Sequence, residues 1–375
     1  MKKILIVGNA DRITVKQYIE HILLENNYEI YLTNFFGEPK YSNFYAKNNI
    51  RLVNVVRLPI VGSLFGVGFM MRILTLILKR QRYDIIHIHN MHLSHIIAAH
   101  LAGSKWLSTN IIGSYWGSDL FRGGAIRHKI VKYFLGYFRY LCIATDEMRE
   151  KFMSVYGDVF NHKIKRVLFA TSIFDNISEV LEAHTIEDCK TYFEIDSKKI
   201  VASVGYNAIK EQQHVEVIAQ IAKIPKTVHD KIFWIFQMTY GSASEKNISD
   251  VKEQLGQIEG VNYVVLTEFM TDEEIAKLRV ATDIFVHAQT TDAFSASVQE
   301  FLYAGTTVVN PVWIEYSQLK TLGIELIEYS NFNELPTLLE RLVLNQGPRV
   351  ENNREKLDNI SSWRAVKSDW RKLYD

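Results

Sequence analysis

The feature that most constrains the fold is an alternation of short, β-branched apolar runs with amphipathic stretches, which stops and then restarts. The first half contains the runs "KILIVG" and "DIIHIHN", and the second half contains "KIVASVGYN" and "ATDIFVHAQ". Such strands, interleaved with helical periodicity, are typical of a parallel sheet covered by helices on both faces. We therefore predict two doubly wound α/β domains rather than one large sheet.

The domain boundaries follow from where this pattern is interrupted. The region near residues 176–198 is polar and irregular. We therefore predict a first domain over residues 1–175, a linker or hinge over residues 176–198 and a second domain over residues 199–352. Doubly wound sheets bind ligands beyond the carboxyl ends of their strands, so we expect the two Rossmann-like domains to face each other across a cleft.

The tail, residues 353–375, is expected to form a C-terminal helix. Its large apolar residues recur at helical spacing, which places them on one face of the helix. These residues are Trp363, Val366, Trp370 and Tyr374. A helix with such a face packs against a folded surface, and we expect it to cross back to the first domain.

The cysteine content and the apolar segments indicate the cellular setting. Cys142 and Cys189 are the two cysteines of the chain, too few for a disulfide framework and without a Cys/His cluster of zinc spacing. The opening "MKKILIVGNADR" lacks the hydrophobic region of a signal peptide. The apolar segment at residues 58–78 contains Arg72 and is interrupted by proline and glycine, so we do not expect it to span a membrane. We predict a cytoplasmic protein.

The formal net charge of +1 conceals an asymmetry, because residues 1–175 contain 23 Lys or Arg and 12 Asp or Glu. Within this basic half, residues 57–82 and 126–140 mix cationic with apolar and aromatic side chains, which favours peripheral binding to an anionic membrane, here its inner face. Buried helices whose long basic side chains reach the surface are the alternative. No zinc-finger or RNA-binding signature accompanies the charge, so we do not expect nucleic acid as a partner.

The stretch "TTDAFSASVQEFLYAG", residues 290–305, places two carboxylates, Asp292 and Glu300, eight positions apart. It follows a predicted strand and opens a predicted helix. Ser295 or Ser297 can cap this helix, whose first amides and positive dipole end suit a diphosphate. Glu300 could then accept hydrogen bonds from a vicinal diol such as a ribose. A capped helix with a solvated glutamate is the alternative interpretation.

The same stretch resembles the E-x7-E region of retaining GT-B fold glycosyltransferases of family 4, which usually reads EGFGLPxLEAMACGxPVV. Here "DAFSASVQEFLYAGTTVV" keeps the second glutamate, Glu300, and has Asp292 in place of the first. The resemblance implies that Asp292 contacts the hydroxyls of the donor sugar and that Glu300 holds the ribose. It also implies that backbone amides bind the diphosphate of the donor. The residues that offer these amides are Phe294, Ser295, Ala296 and Ser297.

Two first-domain segments resemble the same family, in the same order along the chain. "GSYWGSDLFR" is similar to its T-x-H-G-x-D segment, with Trp116 in place of the histidine. The resemblance implies that Asp119 is an acceptor contact or general base, and a helix cap is the alternative. Trp116 either stacks on a sugar or belongs to the core. "DIIHIHN" is similar to a strand that ends in His-x-His, which gives His89 an acceptor-facing or a structural role. His87 and His89 have no evident third partner, so we expect no metal.

The donor-side segment "VASVGYNAIKEQQH" stands where the family has a strand followed by an arginine and a lysine that grip the diphosphate. Gly205 and Asn207 flank Tyr206, which replaces the arginine, and Lys210 is either the phosphate ligand or a solvated lysine. Three further donor contacts are predicted at strand ends. These are Gly8 and Asn9 near the phosphates and Phe269 against the base, ahead of a capping box formed by Thr271 and Glu274.

Taken together, these segments predict a GT-B glycosyltransferase that moves a sugar from a nucleoside diphosphate donor to a hydroxyl, without a cofactor or metal. The resemblance implies retention of configuration and a saccharide acceptor, expected to be lipid-linked, of a bacterial envelope polymer. One alternative is a GT-B enzyme that epimerises nucleotide sugars at carbon 2. Another is a glycan-binding protein in which Asp292, Trp116 and Tyr206 mark lost catalysis.

Overall fold

The computed structural model describes residues 1–35, 37–55, 73–76, 82–101, 110–241, 244–344 and 353–375. The chain divides into two compact units. Unit 1 comprises Met1–Phe169 together with Trp363–Asp375, and unit 2 comprises Ala170–Ser362. Most of the basic segment predicted at residues 57–82 lies outside the described residues. No helix in the described part of the chain has both the length and the apolar character needed to cross a bilayer.

Unit 1 is built on a seven-stranded parallel sheet of order β3-β2-β1-β4-β5-β6-β7. The strands are β1 Lys2–Val7, β2 Tyr28–Asn34, β3 Arg51–Asn54, β4 Ile85–Ile88, β5 Ile111–Ser114, β6 Tyr140–Ile143 and β7 Ile164–Arg166. Strand β1 pairs with β2 on one side and with β4 on the other. The winding therefore reverses between β1 and β4, which creates a switch point at their carboxyl ends.

Helices connect these strands, as the alternating pattern predicted. The α-helices of unit 1 are Ile13–Tyr18, Ser42–Lys47, Leu93–Leu101, Ser118–Phe121, Ala125–Phe134, Asp146–Tyr156 and Trp363–Arg371. The first of them continues as a π-helix, Ile19–Leu23, and short 3₁₀ helices occupy Leu135–Tyr137 and Asp158–Lys163. Thr145 caps helix Asp146–Tyr156, because its side chain accepts a hydrogen bond from the Met148 amide.

Unit 2 contains a second parallel sheet, of order β10-β9-β8-β11-β12-β13. Its strands are β8 Ile200–Val204, β9 Ile232–Gln237, β10 Asn262–Leu266, β11 Ile284–Val286, β12 Thr307–Pro311 and β13 Ile327–Tyr329. Its α-helices are Phe174–Ala183, Ile186–Tyr192, His214–Ile221, Lys226–His229, Ser244–Gly256, Asp272–Ala281, Ala296–Tyr303, Ser317–Thr321, Leu335–Leu344 and Asn353–Ser361. Short 3₁₀ helices occupy Lys210–Gln212 and Phe332–Glu334.

The central strand β11 shows why this sheet is buried on both faces. Ile284 and Val286 belong to one core cluster, while Phe285 between them belongs to the cluster on the other side. Alternate side chains of a strand point to opposite faces, so both faces are apolar and both are covered by helices. The predicted doubly wound α/β architecture with two sheets is confirmed.

The segment at residues 176–198, expected to be a linker, lies instead within unit 2 and is largely helical. Ile177 and Val180 from helix Phe174–Ala183 and Cys189 from the next helix are buried in the same cluster as Phe285. The segment reads as polar because its exposed positions carry charged and polar side chains, while further residues such as Ile195 are buried as well. Unit 2 therefore begins at Ala170, before the expected boundary.

The expected C-terminal helix, residues 353–375, is divided between the units. Helix Asn353–Ser361 belongs to unit 2, and Trp363–Asp375 belongs to unit 1. In unit 1, Trp370 is buried and its Nε1 donates to the Leu168 carbonyl at 2.7 Å. Lys367 and Arg371 form ion pairs with Glu25. The aromatic face predicted from helical spacing thus completes the core of unit 1.

Candidate active site

The second sheet has its own switch point, since β8 pairs with β9 on one side and with β11 on the other. In open parallel sheets, ligands bind outside the carboxyl ends of the strands at such a point. The loop after β8 begins at Gly205, and the loop after β11 runs from His287 to Ser295. Most candidate donor residues predicted from the sequence lie in these two loops and in the helix that follows β11.

Helix Ala296–Tyr303 begins at the predicted cap. The Ser295 hydroxyl accepts a hydrogen bond from the Val298 amide at 3.3 Å, and Ser295 is therefore the cap rather than Ser297. Ala296 and Ser297 form the first turn of the helix, and Phe294 packs edge-on against Tyr316. Helix N-termini favour anions because their amides point outward and the dipole is positive there. The position suits a phosphate group, as the sequence predicted.

Glu300 is buried and paired rather than solvated. Its Oε2 lies 2.9 Å from both Nε and Nη2 of Arg279. The same guanidinium donates from Nη1 to Gln237 at the end of β9, at 2.8 Å, and lies over the Phe301 ring. Arg279 thereby fixes the orientation of the Glu300 carboxylate. The alternative interpretation of a solvated glutamate is incompatible with this geometry.

Asp292 lies at the centre of a polar cluster in the loop after β11. Its Oδ2 accepts from Tyr206 OH at 3.3 Å and lies 3.5 Å from His287 Nε2, while its Oδ1 accepts from the Ala293 amide at 2.7 Å. Tyr206 OH also donates to Gln289 Oε1. Burial, reinforced by the Asp292 carboxylate, raises the pKa of Tyr206 well above its usual value, so this hydroxyl stays protonated and acts as a donor.

The loop after β8 is shaped by Gly205 and Asn207. Gly205 has φ +64°, and a Cβ atom there would lie 2.5 Å from His214 Nε2, so the turn requires glycine. Asn207 accepts from the Ile209 amide at 3.0 Å and holds the turn. Lys210 follows with an exposed side chain. The backbone carbonyl of the next residue, Glu211, accepts from the Thr290 amide at 2.9 Å, which joins this segment to the Asp292 loop.

Phe269 lies farther along the sheet, in the loop after the edge strand β10, and its side chain is 69% exposed. The predicted capping box follows it, with Thr271 Oγ1 accepting from the Glu274 amide and Glu274 Oε2 accepting from the Thr271 amide. An exposed ring at a strand end is accessible to a base. The stacking role of Phe269 stays a prediction that this exposure allows.

In unit 1, the predicted residues Gly8 and Asn9 follow β1 at the switch point. The Gly8 amide donates to Thr33 Oγ1 at 3.0 Å, and a Cβ atom at Gly8 would lie 3.2 Å from Val15 Cγ2. Asn9 Oδ1 accepts from the Asp11 amide at 3.0 Å. Glycine at position 8 therefore allows the loop to pass close to the helix that begins at Ile13, and Asn9 shapes the turn.

The two histidines of β4 and its carboxyl end have different surroundings. His87 Nε2 lies 2.7 Å from Ser114 Oγ and His87 Nδ1 lies 2.5 Å from Tyr374 OH, so the C-terminal segment fixes its ring. Both ring nitrogens of His89 are buried without a hydrogen-bond partner. Burial lowers the pKa of His87 well below its usual value and that of His89 to about 3. Both rings are therefore neutral near pH 7.

Asp119 is held by backbone amides of two strand-end loops. Its Oδ1 accepts from the Trp116 amide at 2.9 Å and its Oδ2 from the Met91 amide at 3.0 Å, and the residue is 4% exposed. Burial raises the pKa of this carboxyl group, and these hydrogen bonds only partly oppose the effect. Asp119 thus orders the loops after β4 and β5. It is not the helix cap of the alternative interpretation, because Gly117 occupies the N-cap of helix Ser118–Phe121 and that cap has no side-chain hydrogen bond. Its role as an acceptor contact or general base stays a prediction.

Trp116 packs on the core with one part of its surface and leaves another part exposed. Its ring packs 4.1 Å from that of Phe169, and His89 lies next to it at 6.3 Å between ring centroids. The residue is only partly buried. An aromatic ring that is fixed on one side and partly accessible on the other suits stacking against a sugar.

No group of three metal-ligating side chains occurs within the ranges that the structure describes. His87 and His89 face aromatic rings and hydroxyl groups, with Tyr18 4.3 Å from the ring of His89. The candidate site is thus built from hydrogen-bonding and charged groups, and we assign no residue to a metal.

Residues 3–147 match the protein-family model described as "Glycosyl transferase 4-like". This range lies within unit 1 and covers less than half of the chain, so it shows that the first domain is similar to that family. The match agrees with the predicted family 4-like glycosyltransferase, and solved structures share the predicted GT-B fold. No curated protein matches the chain significantly by sequence.

Several solved structures share the fold over the length of both chains. Sucrose-phosphate synthase from Thermosynechococcus elongatus is similar with a TM-score of 0.76 and 13% identity, over 100% of this chain and 98% of that one. HepE from Anabaena, in complex with UDP and glucose, has a TM-score of 0.73 and 12% identity, over 100% and 99%. The lipopolysaccharide outer core galactosyltransferase WaaB has a TM-score of 0.64 and 12% identity, over 99% of each chain. At these identities the likeness shows the fold alone.

Sequence reasoning missed two residues of the candidate site, Arg279 and His287. Arg279 follows Ile275 by four positions and Ala276 by three, so it falls on the apolar face of its helix. A charged residue at such a position needs a buried partner, and this signal could have pointed to Glu300. His287 extends the apolar run "DIFV" at a strand end, which is a weaker signal.

Proposed function

We propose that this chain transfers a sugar from a nucleoside diphosphate sugar to a hydroxyl group of a saccharide, and that unit 2 holds the donor. The observation that carries the proposal is the partly buried Asp292 and the buried Glu300, on either side of a capped helix start at the switch point of the second sheet. The HepE complex with UDP and glucose supports UDP as the nucleotide to test first.

The two carboxylates have separate tasks in this proposal. Arg279 orients Glu300, which accepts hydrogen bonds from the ribose hydroxyls. Asp292 accepts hydrogen bonds from hydroxyls of the sugar. Because each carboxylate has its own partner and the two do not contact the same group, they do not share one proton-transfer step.

Departure of the diphosphate requires positive groups that are in place before the bond breaks. The amides of Phe294 to Ser297, at the helix start, and the exposed Lys210 are the groups that we assign to this task. Tyr206 occupies the position of the family's arginine but carries no charge. Its hydroxyl instead holds Asp292 and Gln289. We expect transfer with retention, as the resemblance implies.

Unit 1 holds the acceptor in this proposal. His89 offers unpartnered ring nitrogens and Trp116 offers a partly exposed ring, while Asp119 positions the loops that carry both. Gly8 and Asn9 remain proposed phosphate contacts of this unit. The likeness to WaaB, a lipopolysaccharide outer core galactosyltransferase, supports an acceptor that belongs to an envelope glycan, carried on a lipid.

Helix Ala125–Phe134 supports an enzyme that works peripherally on the inner face of the cell membrane. Ile126 is 80% exposed and Tyr133 is 70% exposed; they lie seven positions apart and so share one helical face, and the side chains of Lys129 and Lys132 are also exposed. Exposed apolar and aromatic groups beside lysines suit the headgroup region of an anionic bilayer. We propose that this face docks on anionic lipid.

A thermal-shift and turnover experiment tests the donor site. We expect UDP and a UDP-sugar to raise the melting temperature of the wild type, and Glu300→Gln to remove most of this shift. Asp292→Asn should keep the rise in melting temperature that UDP causes. It should lose the additional rise that the UDP-sugar causes over UDP. Glu253→Gln, an exposed residue on helix Ser244–Gly256, is the matched control.

Two outcomes would contradict the transferase. Tight glycan binding without turnover of any nucleotide sugar would favour a glycan-binding protein. Release of UDP from the donor with epimerised sugar and no acceptor product would favour the epimerase. A third outcome, equal rises in melting temperature with UDP in wild type and Glu300→Gln, would contradict only the assignment of Glu300 to the nucleotide site.

Vesicle sedimentation tests the membrane surface. Wild type should sediment with phosphatidylglycerol-containing vesicles and less with pure phosphatidylcholine. The double variant Ile126→Ser, Tyr133→Ser should lose this binding, whereas Val159→Ser, another exposed apolar residue of unit 1, should keep it. Binding that survives the double variant, or that does not depend on anionic lipid, would show that this face is not the docking surface.

A further inference from the structure

The hydrogen-bond geometry of Asn310 fixes which nitrogen of His287 carries a proton. Asn310 Nδ2 donates to the carbonyls of Pro311 and Ile314 at 3.0 and 2.9 Å. Its Oδ1 is therefore the atom that lies 2.9 Å from His287 Nδ1. An amide oxygen only accepts hydrogen bonds, so Nδ1 of His287 must carry a proton.

The other nitrogen of this ring faces Asp292, whose two oxygens already accept hydrogen bonds from the Ala293 amide and from Tyr206 OH. With both oxygens acting as acceptors, Nε2 has no partner unless it is also protonated. His287 Nε2 is buried, forms no hydrogen bond, and lies 3.5 Å from Asp292 Oδ2. In a neutral imidazole Nε2 would be an acceptor, and two acceptors would face each other. The Asp292 side chain is itself only 12% exposed, and burying an uncompensated carboxylate is costly.

The groups around the ring do not supply the missing charge. Tyr206 and Tyr316 flank the ring with centroids at 6.4 and 6.2 Å, and burial raises the pKa of both well above its usual value, so both stay neutral. On the backbone side, Tyr329 of β13 donates to the His287 carbonyl at 3.0 Å. Among the described groups that face Nε2, Asp292 is thus the one that carries charge.

We infer that His287 is doubly protonated and forms a buried imidazolium–carboxylate pair with Asp292, and that this pair makes Asp292 a receptor for a sugar hydroxyl. The inference rests on the proposed function for its ligand, a nucleoside diphosphate sugar. A carboxylate that is held ionised only accepts hydrogen bonds, so the site favours a donor with a hydroxyl at the contacted carbon over its deoxy analogue. His287 acts through Asp292 and is a positioning residue.

The protonation state can be tested without any ligand. In protein labelled with ¹⁵N at its histidines, both ring nitrogens of His287 should show the shifts of an imidazolium at pH 7, with His287→Gln assigning the signals. Asp292→Asn should convert the ring to the neutral form with the proton on Nδ1. Asp272→Asn, an exposed carboxylate of the same unit, should leave the imidazolium unchanged.

Two results of the labelling experiment would overturn the inference. One is a neutral His287 in the wild type at pH 7, and the other is an imidazolium that persists in Asp292→Asn. Neither result depends on whether the protein binds a nucleotide. Failure of the inference is therefore distinguishable from failure of the proposed function, which appears as the absence of any effect of UDP.

The role in sugar recognition is tested by comparing affinities for UDP and for UDP-sugars. His287→Gln and His287→Phe should bind UDP as the wild type does but bind the preferred UDP-sugar about tenfold to a hundredfold more weakly, because a charge-assisted contact is lost. In the wild type, the preference for the UDP-sugar over UDP should decline over the pH range in which the NMR signals show His287 losing its proton. If His287 were only structural, its substitution would weaken the binding of UDP and of the UDP-sugar equally, and the wild-type preference would not depend on pH. That result would refute the positioning role.

Discussion

Units 1 and 2 have the same kind of parallel sheet and switch point, yet they satisfy their buried strand-end groups in different ways. In unit 1, Asp119 is bound by two backbone amides, and the nearby histidines have lowered pKa values because they are buried. In unit 2, Glu300 is paired with Arg279, and Asp292 lies beside His287.

This difference shows how one fold can provide two chemical environments. Burial without a counter-charge favours the neutral form of an ionisable group, whereas a nearby opposite charge favours the ionised form. Unit 1 therefore offers mostly neutral hydrogen-bonding groups, which suit the hydroxyls of an acceptor. Unit 2 places Arg279 beside Glu300 and His287 beside Asp292, which fixes the orientation of both carboxyl groups and suits a donor with a ribose and a sugar.

The largest expected effect comes from breaking the buried ion pair of unit 2. Arg279→Leu should lower the free energy of unfolding by about 3–5 kcal/mol, because Glu300 is left as an unpaired buried charge. Urea denaturation measures this change. Arg127→Leu in unit 1, which removes a hydrogen bond to the Met91 carbonyl, should cost only about 1 kcal/mol.

The double variant Arg279→Leu, Glu300→Gln separates charge from packing. It should recover part of the lost stability, because the unpaired charge is gone. If Arg279→Leu lowers the free energy of unfolding by no more than Arg127→Leu does, the contrast does not hold between buried charge pairs in unit 2 and buried groups without such pairs in unit 1.

Acid should destabilise unit 1 before unit 2. An unfolded histidine titrates near pH 6.5, whereas the pKa of His87 is well below this value, that of His89 is about 3 and that of His214 in unit 2 is about 4. Each therefore contributes stability that is present above pH 6.5 and is lost as the pH falls toward its folded pKa. Near pH 5 each histidine has lowered the free energy of unfolding by about 2 kcal/mol.

Hydrogen exchange as a function of pH resolves the two units. The raised pKa of Asp119 has the opposite effect on stability, because the folded protein binds this proton more tightly than the unfolded chain does. Acidification therefore stabilises the fold at Asp119 and offsets part of the stability lost through the histidines. His89→Gln should flatten the pH dependence of unit 1. Simultaneous acid unfolding of both units, with no effect of His89→Gln, would contradict this prediction.

Gly205→Ala tests the turn after β8 in unit 2. A non-glycine residue at φ +64° costs about 1–2 kcal/mol, and the added Cβ would in addition collide with the His214 ring. Thermal unfolding measures the loss of stability. Gly136→Ala in unit 1 is the control, since a Cβ there meets no atom within 4 Å. Equal melting temperatures for the two variants would show that the turn relaxes without cost.

The smallest expected effect is the loss of a helix cap in each unit. Thr145→Ala in unit 1 and Ser295→Ala in unit 2 each remove a hydroxyl that accepts from a first-turn amide, at a cost of about 1 kcal/mol. The two variants should differ in nucleotide binding, because only Ser295 lies at the proposed diphosphate site. A similar loss of UDP affinity in both would mean that the effect is one of stability.

The sequence predicted the elements well because their signals are local. The run "ATDIFVHAQ" contains β11, and the Thr271–Glu274 spacing yields a capping box in the structure. The segment at 176–198 was misjudged because its apolar residues, such as Ile177 and Val180, are scattered among charged and polar ones rather than gathered in a run. A short amphipathic helix and a polar linker differ little in composition, and packing against the sheet decides between them.

The pair of doubly wound sheets can be predicted from the sequence alone, and so can the placement of Asp292 in a loop after a strand and of Glu300 in the helix that follows. Their partners cannot, because folding brings them from elsewhere in the chain: Arg279 for Glu300, His287 for Asp292 and, across 287 positions of the chain, Tyr374 for His87. Secondary structure follows from the periodicity of neighbouring residues. The charge state and orientation of a buried group depend instead on which distant side chain folding brings within a few ångströms.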